Sequence, residues 1–172
     1  MPNILLLFSF LFPVLLKKVQ ELYSTLKSTF NTMTLPEILG TVSLLCACFE
    51  HLTTQTGEPL MKPLVTPILK SLEILLDYNP ETQNETELQQ IQEQCAQNLL
   101  HHLRLLGVKF EEIQPDKTAF LFDRIRMAAV SKFCSRGFML SLLELIELRA
   151  SGWKLKNQVF NFYVVQKTSA VI

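Results

Sequence analysis

Prolines and glycines punctuate this chain at Pro36, Gly57, Pro59, Pro80, Gly107, Pro115 and Gly152. Between these marks the apolar side chains recur at intervals of three and four, the spacing that gathers them on one face of an α-helix. Proline lacks an amide hydrogen and fixes φ, so it suits the first turn of a helix. Glycine takes the left-handed turn that ends one at little cost. The marks therefore predict six helices joined by short connections and leave no room for a sheet-based fold.

The first helix is expected over about 14–30, with Leu15, Val19, Leu22 and Leu26 on one stripe. The second, about 35–54, is apolar around most of its circumference and reads as buried. The third, about 60–78, carries Leu64, Val65, Ile68, Leu72, Leu75 and Leu76, while Pro63 and Pro67 predict a kink or a late start. The fourth, about 87–106, is striped by Leu88, Ile91, Cys95, Leu99, Leu103 and Leu106 and ends at Gly107. Thr86 and Gln89 have the spacing of a capping box at its start. The fifth, about 117–133, follows Asp116 as N-cap, and the sixth runs over about 138–151. Only 159–165 alternates enough to read as extended.

With 172 residues, 48% hydrophobic and 19% charged, the chain is sized and composed for one buried core. The expected fold is all-α: a stack of antiparallel helical pairs, since each pair buries its free face on the next and grows into an α-solenoid. Residues 15–163 form the single helical region, 1–14 are an unassigned apolar segment and 164–172 a tail. The apolar run at 4–16 is shorter than the ~20 residues needed to span a bilayer. Lys17 and Lys18 stand where a signal peptide would have small cleavage-site residues. It reads as a buried helix or an atypical start, with a membrane-attached or secretory element as the alternative.

Acidic and basic residues balance at 16 each, so no global charge recommends a nucleic acid or a membrane surface. Cys46, Cys48, Cys95 and Cys134 lie in apolar stretches without disulfide-framework spacing, which fits reduced thiols and a cytoplasmic location, with the nucleus also open. The sequon Asn84-Glu85-Thr86 matters only in a secreted chain. No glycine-rich phosphate loop, HExxH or GxSxG is present, so the chain reads as no enzyme, with neither cofactor nor metal. His51, His101 and His102 read as surface or boundary residues, because helix neighbours point ~100° apart and cannot share a metal as i, i+4 residues do. Glu111 and Glu112 read as a solvated loop between the fourth and fifth helices.

Charge does separate regionally. Asp77, Glu81, Glu85, Glu87 and Glu93 fall in a stretch without Lys or Arg, whereas Lys117, Arg124, Arg126, Lys132 and Arg136 cluster around the fifth helix. Such runs are usually solvated faces. Lys117, Arg124 and Lys132 recur about every two turns, so a basic stripe for an acidic partner or RNA is the candidate site.

In the last helix Ser141, Glu144, Glu147 and Ser151 form one narrow polar strip, and the rest is apolar. Arg149 falls on a covered side and calls for a carboxylate or carbonyl partner. Gly152 fits the position after the helix, and Trp153, the single tryptophan, then packs back toward Leu148.

The closing stretch LLELIELRASGWK resembles the last helix of the middle domain of eukaryotic translation initiation factor 4 gamma. It is most similar to that family's compact single-domain members, which bind the histone-mRNA stem-loop-binding protein or polyadenylate-binding protein. LLKKVQELY, LCACFEHL, PLVTPILKSLEILL and LFDRIR match in the same order. The resemblance implies a HEAT-like helical stack, shortened at its N-terminus, that scaffolds translation factors without catalysis. Its expected partners are initiation factors and an mRNA-bound protein of the stem-loop- or poly(A)-binding type. RNA contact, direct or indirect, and a homodimer stay open. Leu148, Arg149, Gly152 and Trp153 carry the family pattern, as structural residues.

Overall fold

A computed structural model describes residues 4–78, 84–132 and 134–169, and every described element longer than three residues is an α-helix. These are α1 (Ile4–Thr29), α2 (Leu35–His51), α3 (Val65–Asp77), α4 (Glu85–Ile113), α5 (Pro115–Ala129), α6 (Arg136–Ala150) and α7 (Asn157–Ser169). The expected loop over 79–83 with Pro80, Phe133 at the proposed end of the fifth helix, and 170–172 of the tail lie outside the described residues.

Local chemistry sets most boundaries. Thr34 and Glu37 form a capping box at α2, the Thr34 amide donating to the Glu37 carboxylate at 2.8 Å. The late start expected of the third helix is found: Lys62–Leu64 is a short 3-10 turn, and α3 begins at Val65. Asn84, and not Thr86, caps α4, its side chain accepting from the Thr86 and Glu87 amides. Asp116 is likewise inside α5, because Pro115 takes the first helical position and Gln114 the cap.

Three larger expectations fail, the first being that the opening helix starts near 14: α1 already begins at Ile4, with Pro13 inside it. The fourth helix does not end at Gly107 but continues to Ile113, and the stretch read as extended, 159–165, lies within α7. In α7 the β-branched and aromatic residues that favour strands have no neighbouring strand to pair with, so intrinsic preference yields to the seat offered by α6.

Successive helices pack on each other, and every other helix does so as well: α1 on α3, α3 on α5, α2 on α4, and α4 on α6. α7 follows α6. The core runs through the packed helices, from Val19 and Leu26 of α1 through Phe49, Leu72, Leu99, Phe110 and Phe122 to Leu142 and Leu145 of α6. Among the described residues no helix is long and apolar enough to cross a membrane.

Candidate functional site

The motif that ends α6 builds a closed junction. Gly152 turns left-handed at φ +70°, and its amide donates to the Arg149 carbonyl at 3.0 Å. The Trp153 amide donates to the Leu148 carbonyl at 2.8 Å, which completes a Schellman motif. Trp153 is itself left-handed at φ +64°, a conformation that costs a side-chain-bearing residue ~1–2 kcal/mol. Its side chain is held where that cost is offset. The indole nitrogen donates to Glu111 at 2.6 Å, and the ring meets Phe122 edge-on, with centroids 5.6 Å apart.

The Arg149 partner called for by the sequence is Glu111, which accepts from Nε at 3.0 Å and Nη2 at 2.6 Å. The guanidinium also lies over the Phe122 ring, 4.8 Å from its centroid. The Arg149 hydrogen bond holds the Glu111 carboxyl below its usual pKa; partial burial opposes this, and the Trp153 donor adds to it. Glu111 is therefore not a loop residue: it sits on the last turn of α4, which runs past Gly107. Gly107 marks close approach, since a Cβ there would overlap the Trp153 ring. This assembly joins α4, α5 and α6.

The basic candidates are tied to their surroundings. Lys117 donates to Thr66 Oγ1 at 2.7 Å, and Arg124 reaches both oxygens of Asp77 at 2.5 and 2.6 Å, so both fasten α5 to the 65–77 helix. Arg126 pairs with Asp123 one turn away at 2.7 Å, and Arg136 donates to Gln166 at 3.3 Å. Lys132 is exposed beyond the end of α5, which stops at Ala129. The five cations therefore do not form one helical stripe: three lie on α5, one follows it, and one starts α6.

Beside them lies an open cleft of about 810 Å³. The end of α3 supplies Leu76, Asp77 and Tyr78, and the first turns of α4 supply Leu88 and Gln92. α5 lays Phe120, Asp123, Arg124 and Met127 along its wall, and α6 contributes Phe138. Met127 is 72% exposed, and Phe120 is half exposed with Lys70 over its ring at 5.1 Å. A cleft of this volume lies in the range of ligand sites, and its apolar walls with charged pairs at the rim suit the side chains of another protein. Sequence reasoning missed it because the lining residues come from four helices. The exposed Phe120 and Met127 were the available signal.

The remaining reactive groups are built into the core. His102, expected at a surface or boundary, is buried between α2 and α4, with Nε2 3.3 Å from Ser43 Oγ. Burial, with His101 beside it, pushes its pKa down to about 4. Cys46, Cys48 and Cys95 are buried and all four cysteines are free, as the sequence predicts. Burial pushes Cys46 and Cys95 up to about 12, the reverse of an activated thiol. Cys134 lines the cleft, and burial raises its pKa too. Among the described residues no three His, Cys, Asp or Glu side chains converge as a metal site. In comparisons with known proteins, no family model and no curated protein matches the sequence.

Proposed function

We propose that the chain is a HEAT-like helical adaptor that regulates translation initiation. It bridges an mRNA-bound protein, of the stem-loop- or poly(A)-binding type, to initiation factors, and acts in the cytoplasm without catalysis. The open cleft between α3, α4, α5 and α6 is the observation that carries this reading. Exposed apolar side chains such as Met127 cost a soluble protein little singly, but beside a cleft they offer an anchor site to a partner. The packing order supports the HEAT-like part, since helices that meet mainly their first and second neighbours are what a stack of pairs requires. The resemblance in LLELIELRASGWK supplies the class of partner.

The test is a pull-down of the purified chain against initiation factors and the two kinds of mRNA-bound protein, with Met127→Glu in parallel. Capture by the parent and at least ~10-fold weaker capture by the variant is expected, the loss from placing a charge at an apolar anchor. Recovery of none of these proteins by folded chain overturns the reading.

Direct RNA binding through Lys117, Arg124, Arg126, Lys132 and Arg136 is the weaker alternative, since Arg124 and Arg126 already face carboxylates. It requires affinity that falls steeply with salt and a shallower salt slope after charge reversal at Lys132 and Arg136.

A further inference from the structure

α7 is mounted with its apolar side chains outward. Of its described residues only Tyr163 is buried, whereas Phe162 is 54% and Val165 59% exposed. What it turns toward α6 is polar. The Tyr163 hydroxyl donates to Glu147 at 2.8 Å, Lys167 donates to Glu144 at 2.5 Å, and Gln166 accepts from Arg136. Arg104 of α4 lies over the Phe160 ring at 5.2 Å and pairs with the other oxygen of Glu144. Its seat is the polar strip of α6, a strip whose composition suits water.

Two physical consequences follow. Docking α7 buries one aromatic ring, that of Tyr163, and adds no residue to the continuous apolar cluster, so the hydrophobic effect contributes less to its attachment than to that of α1–α6. The seat also has a water-compatible alternative: with α7 away, Glu144 keeps Arg104, and Glu147 is solvated. Net hydrogen bonds to charged groups are individually modest, so a helix held by them opens far more readily than the core beneath.

We propose that α7 is a latch, a helix seated on α6 by side-chain hydrogen bonds and ion pairs, which leaves and returns while α1–α6 stay folded. Its departure uncovers the acidic pair Glu144 and Glu147 and frees the α7 side chains for contacts elsewhere. This inference stands apart from the adaptor reading, because it rests on the contacts of α7 with α6 and with Arg104 of α4 and not on the cleft.

Hydrogen exchange of the full chain, read by mass spectrometry peptide by peptide, tests it. Amides of α7 should exchange at least ~100-fold faster than those of α4 and α6, yet more slowly than an unstructured peptide. Tyr163→Phe combined with Lys167→Met removes two hydrogen bonds to carboxylates. It should speed α7 exchange by a further ~100-fold and leave α4 and α6 unchanged. Equal protection of α7 and α6 in the parent overturns the latch, as does exchange of α7 at the free-peptide rate. An unchanged α7 in the double variant, or equal acceleration of the whole chain, also overturns it.

Discussion

The two sides of α6 use the same chemistry for different ends. At its C-terminal junction Glu111 receives a cation, Arg149, and an aromatic donor, Trp153. Along its polar strip Glu144 receives Lys167 while Glu147 receives the aromatic donor Tyr163. At the junction the hydrogen bonds accompany apolar packing, with the indole seated over Gly107 and against Phe122. Along the strip, α7 contributes no residue to the continuous apolar cluster. An indole offers on the order of 200 Å² for burial, against a net contribution of about 1 kcal/mol from an ordinary hydrogen bond. Polar contacts alone set where an element sits; apolar burial decides how firmly.

Substitutions at the junction should have the largest effects. Trp153→Ala should lower stability by ~3 kcal/mol, the low end for deleting a large aromatic because the ring is only partly covered. Gly107→Ala should cost ~2 kcal/mol, since the methyl group displaces the ring. In the Trp153→Ala background the same change should be neutral or stabilising by up to ~1 kcal/mol, because alanine is the better helix former. Urea unfolding of the four proteins checks this cycle; additive losses would mean that ring and glycine do not compete for one space.

Acid should act next, and on the core before the junction. His102 has a folded pKa of about 4 against 6.5 when exposed, so below pH 6.5 the unfolded chain takes up a proton that the folded chain refuses. Its contribution is complete above that range and falls by ~2 kcal/mol by pH 5. A urea midpoint that drops between pH 7 and 5 in the parent, and less in His102→Gln, is the expected result. The Glu111 carboxyl, with its pKa lowered, weakens only at more acid pH: its contribution is present above about 4.5 and is lost as pH falls through the folded value.

Glu111→Gln keeps the shape but removes the charge, and should cost ~1–2 kcal/mol, with the emission of the single tryptophan shifted because its donor bond weakens. The smallest change is expected at Tyr163→Phe, below ~1 kcal/mol of global stability. A loss there as large as that of Glu111→Gln would erase the distinction between the two sides of α6.

The helices were legible wherever their signals are local. Apolar periodicity located α2 to α6 and the second half of α1, the Pro63 and Pro67 pair delayed α3, and Gly152 closed α6 at the expected turn. Arg149 was read correctly as a cation in need of a carboxylate or carbonyl, and it finds the carboxylate of Glu111, a residue whose own position was misread. Gly107 looked like a stop signal, so Glu111 was placed in a loop and α4 was ended too early. The same limit hid α7: by composition its 159–165 stretch favours a strand, and only the polar strip of α6 gives it a helical seat.

By itself the sequence determined an all-α fold, the late start of α3 and the turn at Gly152, because such signals act within about one helical turn along the chain. Both expected caps, Thr86 and Asp116, nonetheless gave way to Asn84 and Gln114. The tertiary structure decided that Gly107 is a space for an indole, that Glu111 serves both Arg149 and Trp153, and that four helices enclose a cleft. Those outcomes depend on residues about 40 positions apart, 38 for Arg149 and 42 for Trp153 relative to Glu111. No local preference carries that information; packing of one helix on another brings the partners together.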